Sequence, residues 1–374
     1  MDVDLTSDQE LLRDTTARFI EAELPLDEVR RLSESGSRVD GEYLRRGAEL
    51  GWFSLLVPAA QGGGSVSGEG LVDAAVVAGE RGRFLQPGAF VAVNVVAHAL
   101  ATAGSPEQRR EVLPALMAGA ATAAWAVADI FGEWRPDAGV VAAPSGDGFV
   151  LSGAKGLVHD AAAADWLLVG AASNDGPVQV LLPSSAPGLT VTELDGLDIT
   201  RRFSRVTFDD VVAPGSSLVG DPADAVRALD RQLQLAAVLT VAESVGAMDR
   251  IFGETLDYAK SRIAFGRPIG SFQAVKHLLA DTSLLLEASR AAAVAAARCV
   301  QREGDDAAEV ASIAKAFVGD SGIELAQSCL QVLGGIGFTW EHDLHLYLRR
   351  LTTDAYLYGE PAWHRERICT LFEL

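Results

Sequence analysis

The chain has 374 residues, 49% of them apolar, a formal net charge of −20 and a mean hydropathy of +0.18. That length gives two or three domains as the expectation. The acidic balance excludes a nucleic-acid partner, which needs clustered Lys and Arg, and disfavours an anionic membrane surface.

No apolar run approaches the ~20 residues of a membrane span. The N-terminal stretch MDVDLTSDQELLRD is acidic and helical in pattern, the opposite of a signal peptide. Cys299, Cys329 and Cys369 form no CxxC pair, so zinc-ribbon and thioredoxin-like readings have no support. The expected compartment is the reducing cytoplasm.

Residues 1–119 read as an all-α domain. Thr6-Ser7-Asp8-Gln9-Glu10 has a capping composition ahead of Leu11, Leu12, Phe19 and Ile20. Further helices are expected over 41–50, 71–82, 90–103 and 106–117, with a Pro- and Gly-rich loop from Val57. The run Gly62–Gly64 lacks a following Lys-Ser/Thr and is no phosphate-binding P-loop.

Residues 120–222 change character. Short β-rich runs at 122–127, 148–152, 166–169, 178–182, 189–194 and 204–211 alternate with turn material, which indicates a small antiparallel sandwich or barrel. Residues 223–374 return to helical periodicity at 223–241, 243–262, 271–304 and 305–333. These helices are alanine-rich and apolar around much of their circumference, as in a four-helix bundle. The fold class is α+β multidomain: helices, a β domain, then a bundle.

Two bundle segments carry chemistry. SRIAFGRPIGSFQAV contributes Arg262, Phe265, Gly266, Phe272 and Gln273; farther on the chain reads Gln331-Val-Leu-Gly-Gly-Ile-Gly337. An arginine suits phosphate, and glycines let backbone approach a ligand closely. As an isolated feature, the glycine run is equally a tight interhelical turn, with Arg262 capping a helix.

The domain order, together with Leu50-Gly51-Trp52, Pro58, Tyr258–Arg262, Phe265-Gly266, Phe272-Gln273 and Gln331–Phe338, resembles the acyl-CoA dehydrogenase family along the whole chain. The resemblance implies FAD bound at a subunit contact in a tetramer built as a dimer of dimers. It further implies α,β-desaturation of an acyl-CoA or acyl-carrier thioester, with electrons passed to an electron-transfer flavoprotein. Arg262, Phe265, Phe272 and Gln273 would contact the flavin nucleotide. Gln331, Gly334 and Gly335 would lie along its adenosine-diphosphate half, reaching across from the neighbouring subunit.

The chain departs from the family pattern in three places. Ala128-Asp129-Ile130 stands where a Thr-Glu-Pro-like stretch brings a hydroxyl to the isoalloxazine ring. Lys155-Gly-Leu-Val-His159 puts His159 where a threonine is usual. Tyr358, in Tyr358-Gly359-Glu360-Pro361, replaces the glutamate that acts as base, and the alternative base position falls on Ala236. Three readings follow: Glu360 serves as base through a local shift; the chain is the non-catalytic partner in a hetero-oligomer; or the fold runs other chemistry, such as a flavin oxidase or monooxygenase. Tyr358, with an ordinary phenol pKa near ~10, is a poor base and a better hydrogen-bond donor. Glu360 ahead of Pro361 is also an ordinary helix start.

Three other motifs are set aside. Glu341-His342-Asp343-Leu344-His345 is not the HExxH zinc pattern and reads as a helix start capped by Thr339. Gly319-Asp-Ser-Gly322 lies inside a helical run. Arg349-Arg350 reads as a helix end matched to the dipole.

Overall fold

The computed structural model describes residues 5–135 and 137–373. α1 (Ser7–Glu23) opens on a reciprocal capping box between Thr6 and Gln9 and buries Gln9, Leu12, Thr16 and Ile20, one face at helical spacing. It is followed by α2 (Leu26–Ser35), which the sequence reading omits, and by α3 (Gly41–Glu49), capped by Asp40. α4 (Gly70–Arg83) and α5 (Phe90–Ala103) are buried nearly all round. α6 (Pro106–Glu111), with a Ser105/Gln108 capping box, and α7 (Leu113–Met117) close the domain.

The middle region is one seven-stranded sheet in the order β1-β4-β2-β3-β7-β6, with β5 on the outer side of β4. The strands are β1 (Ala123–Ala126), β2 (Val140–Ser145), β3 (Gly148–His159), β4 (Trp166–Ser173), β5 (Gly176–Pro183), β6 (Leu189–Leu194) and β7 (Phe203–Ala213). It is not purely antiparallel, as the strand spacing leads one to expect. β1 pairs with β4 in parallel from Ala123↔Trp166 to Ala126↔Val169, and β2 joins β4 in parallel at Val141↔Ala172. The period of two divides β1 between two cores: Ala124 and Ala126 pack within the sheet's own cluster, while Ala123 and Trp125 face the helices.

α8 runs unbroken from Ala225 to Ser261, so the two helices expected at 223–241 and 243–262 are one. Ala242 between them is neither Gly nor Pro, and nothing there breaks the helix. α8 crosses α4 at close range, because a Cβ on Gly246 would stand 1.8 Å from the Gly79 carbonyl oxygen and one on Gly82 would stand 1.9 Å from that of Glu243. A short hairpin, β8 (Ile263–Ala264) and β9 (Arg267–Pro268), leads to α9 (Gln273–Gln301). α10 (Ala307–Leu333) runs back and contains the Gly319–Gly322 motif in mid-helix.

A 3-10 turn, Gly334–Phe338, precedes α11 (Leu344–Tyr356) and α12 (Pro361–Leu371). Thr339 therefore ends the 3-10 turn rather than starting a helix, and α11 begins after Asp343. Arg350 sits inside α11, fully buried, and not at a helix end. Among the described residues, no helix is long and apolar enough to cross a membrane.

Candidate functional site

The turn between α11 and α12 shapes the buried region around Tyr358. Tyr358 and Gly359 adopt φ of +59° and +107°, and that double left-handed step drives the Tyr358 ring inward, to 5% exposure. Lys315 of α10 fixes the turn from beneath, its Nζ donating to the carbonyls of Ala355 and Gly359 at 2.9 Å each. His364 Nε2 lies 3.1 Å from the Tyr358 carbonyl oxygen. The Tyr358 ring stacks on Trp125 of β1 at 5.8 Å and packs against Trp134 at 4.9 Å between centroids.

Trp134 is delivered by the loop after β1. Asp129 Oδ1 accepts from the backbone N–H groups of Phe131 (2.8 Å) and Glu133 (2.9 Å), tying the loop into a tight unit. Trp134 Nε1 then donates to the Tyr356 carbonyl at 3.2 Å, latching the loop to the bundle. Lys155 of β3, fully buried, donates to the Val127 carbonyl at 3.0 Å and holds the end of β1. Ala128 is buried in that same stretch, its carbonyl accepting from Gly156 N at 3.1 Å.

His159, at the end of β3, meets Tyr358 in a small cavity also lined by Gly88, Phe90, Arg201, Thr240 and Glu243. Burial, followed by the charges of Arg201, Arg350 and Arg81, holds the His159 imidazole well below its ordinary pKa, so it is neutral at pH 7. Burial pushes the Tyr358 phenol well above its usual value; Arg201 opposes this, and Glu243 and Asp354 add to it. The phenol therefore keeps its proton and cannot serve as a general base at neutral pH. Glu360 is exposed, the N-cap of α12 with Pro361 at the first helical position, and it does not line this cavity.

Behind the cavity lies a charged clamp that joins the middle region to two helices. Arg350 Nε donates to Asp198 Oδ2 at 2.5 Å and Nη1 to Glu243 Oε1 at 2.8 Å. Arg201 Nη2 bridges to Glu243 Oε2 at 2.5 Å, and its Nη1 pairs with Asp354. All five side chains are buried. Glu243 is thus a carboxylate at the pocket wall but committed to two arginines. Burial alone would raise its pKa, and Arg201 with Arg350 more than offsets this, leaving it below the ordinary range. A base needs the opposite shift.

The bundle-end residues lie elsewhere: Arg262, Phe265, Gln273, Gln331 and Gly335 are exposed, and Phe272 and Gly334 are half-buried. α9 runs back along α8 and α10 back along α9, so the end of α8, the start of α9 and the end of α10 share one end of the bundle; Cys329 of α10 meets Thr255 of α8 there. That topology brings Arg262, Phe265, Phe272 and Gln273 to the same end as Gln331, Gly334 and Gly335. Phe265 and Gly266, with φ of +51° and +79°, form the tip of the β8–β9 hairpin as a primed turn, and the Phe265 ring is 96% exposed. Phe272 meets it edge-on at 6.1 Å, and Arg267 lies 4.0 Å over the Phe272 ring. Gly334 has φ +62° and ψ −136°, a conformation essentially reserved for glycine. A Cβ on Gly335 would meet nothing within 4 Å of this chain. The open ground at Gly335 is on the outside, where a ligand or a second subunit can approach.

Comparison with known proteins decides the family. The acyl-CoA dehydrogenase N-terminal domain matches residues 6–120 and the C-terminal domain residues 226–370. The acyl-CoA dehydrogenase IpdE2 of Mycolicibacterium smegmatis is 30% identical over 376 residues, covering 97% of this chain and 98% of that protein. This chain belongs to the acyl-CoA dehydrogenase family. Its class is accordingly that of FAD-dependent oxidoreductases acting on a CH–CH bond. Among solved structures, the ChsE4–ChsE5 complex from Mycobacterium tuberculosis superposes with a TM-score of 0.89 at 26% identity, covering 100% of this chain and 99% of that one. A variant of the Tcur3481–Tcur3483 steroid ACAD gives a TM-score of 0.88 at 29% identity, covering 98% and 97% of the two chains.

The residues at the bundle end have the chemistry to meet FAD. The bundle end offers an exposed arginine edge, aromatic rings and an open glycine cradle, which suits the nucleotide half. The cavity at His159 and Tyr358 measures about 10 Å³, which is room for at most a single water. Trp125 Nε1, His159 Nε2 and Thr240 Oγ1 are buried in this region without hydrogen-bond partners.

The sequence reading missed Trp125, Trp134, Arg201, Glu243 and Lys315. For the last two the signal was present: each is a lone charge in a long apolar helical run, and such a charge is buried and therefore paired.

Proposed function

We propose that this chain acts as one subunit of an acyl-CoA dehydrogenase oligomer and completes the flavin site of a neighbour that carries the catalytic carboxylate. The filled pocket carries this reading: Tyr358 stands in the base position as a protonated phenol, and Trp134 occupies the adjoining space. In the bound complex FAD supplies the hydride acceptor. This chain's own contribution is made at the bundle end. Arg262 offers a guanidinium fork to phosphate, Phe265 and Phe272 offer ring faces, Gln273 and Gln331 offer amides, and Gly334-Gly335 offers backbone N–H groups at close range.

The assembly is a tetramer built as a dimer of dimers, with electrons leaving to an electron-transfer flavoprotein in the cytoplasm. The naming of two relatives as pairs, ChsE4–ChsE5 and Tcur3481–Tcur3483, is in keeping with a heteromeric arrangement. The substrate is an acyl-CoA thioester.

The test is spectroscopic. Purified alone, the chain is expected to be colourless; co-expressed with a base-bearing acyl-CoA dehydrogenase subunit, it should co-purify with bound flavin that bleaches on anaerobic addition of acyl-CoA. Stoichiometric flavin on the isolated chain, bleached by acyl-CoA and protected from bleaching by Glu360→Gln, would overturn the proposal and make Glu360 the base. Oxygen consumption with peroxide release would instead establish the oxidase reading.

A further inference from the structure

α8 and α9 leave an apolar groove between them that no element covers among the described residues. It measures about 570 Å³, with Phe252, Leu256 and Ala259 of α8 on one wall and Leu279, Ala280 and Ser283 of α9 on the other. Both sets follow helical spacing, so each is one stripe along its helix, about two turns long. Ala259, Ala280 and Ser283 have short side chains, which leaves a hollow between the walls. Leu284, one turn beyond Ala280, extends the apolar surface outward at 69% exposure. Apolar ground of this extent, open to water, marks a contact site.

The rim carries one sign of charge. Lys260 and Lys276 line the groove and no Asp or Glu does, in a chain whose net charge is −20. Lys260 has Asp257 at 3.1 Å, three residues back on the same helix, in an exposed pair of the kind that contributes little. With Asp257 counted against Lys260, Lys276 is still uncompensated, for it makes no ion pair among the described residues. Lys276 also stands in the first turn of α9, where a cation opposes the helix dipole and no acidic residue offsets it. Both lysines lie at the hairpin end of the groove, beside Pro268 and Gly270, whereas Phe252 and Ser283 lie at the far end. The groove therefore has a direction, cationic at one end and apolar along its length.

We infer that this groove docks a helix of the base-bearing neighbouring subunit, one that lays an apolar stripe of about two turns between α8 and α9 and brings an Asp or Glu to Lys276 and Lys260. The inference rests on the proposed role as a completing subunit and names where that neighbour is gripped. Position favours this occupant. Pro268 and Gly270, at the groove's end, belong to the same connecting segment as Arg262, Phe265 and Gln273, so a subunit whose flavin is met by that segment is brought to the groove as well.

The experiment is analytical ultracentrifugation of the full chain co-expressed with a base-bearing acyl-CoA dehydrogenase subunit. Lys276→Glu and Ala280→Glu, both at exposed positions, should each weaken the heteromer at least tenfold, while Lys276→Arg stays within about twofold of the parent. Protomer unfolding should be unaltered in all three, which separates docking from folding. Parent affinity in both Lys276→Glu and Ala280→Glu overturns the groove while leaving the flavin reading intact. Equal loss in Lys276→Arg and Lys276→Glu overturns the carboxylate contact. Weakened pairing of the chain with its own copy, with the heteromer unchanged, makes the occupant a second copy and overturns the proposal too. Flavin uptake by the heteromer, read separately from its visible spectrum, tests the completing role itself.

Discussion

Replacing Arg350 by methionine should be among the most damaging single changes in this chain, and the clamp says by how much. Methionine keeps much of the stem volume but removes every donor. Asp198 loses its 2.5 Å partner and retains only Thr200, whose N–H and hydroxyl meet the other carboxylate oxygen. Glu243 loses the 2.8 Å bond to Arg350 but keeps Arg201. Removing one partner of a buried ion pair costs ~3–5 kcal/mol because the remaining charge is left uncompensated. An exposed pair such as Arg45 with Glu42 should change by under ~0.5 kcal/mol when Arg45 becomes methionine. Urea unfolding followed by tryptophan fluorescence reads both variants on one scale.

The pH dependence gives a second, independent check. In the parent, burial alone would raise Asp198, and Arg350 and Arg201 outweigh it, so the folded carboxyl lies below its ordinary value. Its contribution is therefore present above the unfolded carboxylate range near ~4 and lost as pH falls through the lower folded value. In Arg350→Met the burial effect is no longer outweighed, and the folded carboxyl rises. The deficit should then grow from about pH 4.5 to about pH 7 and shrink on acidification. Asp198→Asn in the Arg350→Met background should recover more stability than Glu243→Gln, since Glu243 still has Arg201. A loss below ~1 kcal/mol, or a deficit that widens on acidification, would refute the uncompensated-charge argument.

Phe265→Asn relieves a left-handed residue, a strain of ~1–2 kcal/mol, and removes an almost fully exposed ring. Protomer stability should hold or rise while sedimentation shows assembly weakened at least tenfold; an unchanged oligomer would refute the interface role. Lys315 has its pKa lowered by burial to about 7, against opposition from Asp354 and Asp320. Between that value and the ordinary ~10.4 the unfolded chain holds a proton that the folded chain lacks, so this group makes stability rise with pH across that window. Lys315→Met should flatten the rise by about half, since Lys155, also lowered to about 7, remains; an unaltered slope would exclude Lys315 as its source. Trp134→Ala should cost ~3–5 kcal/mol and leave a cavity at Tyr358 large enough to bind an apolar probe, detectable by xenon or benzene uptake.

Much of the architecture was readable from residue order because local chemistry and tertiary packing agree there. Thr6 with Gln9 caps the helix that the local composition announces. A Cβ on Gly334 or Gly335 would meet nothing within 4 Å of this chain. Where the reading slipped, a long-range partner decided. The parallel pairing of β1 and β2 with β4 depends on strands far apart in the chain. Arg350 looks like a dipole-matching helix end until Asp198 and Glu243, each over a hundred residues away, are brought to it.

The reaction-centre region shows the same division more sharply. The departures from the family pattern that the resemblance marks at Ala128, His159 and Tyr358 are legible in sequence because residue identity is a local fact. Sequence could not reveal what fills the space, because that depends on Asp129 folding its loop so that Trp134 crosses to the Tyr356 carbonyl. The result is a Tyr358 ring packed between Trp125 and Trp134. The left-handed, exposed Phe265 turn and the open glycine positions lie at the other end of the bundle.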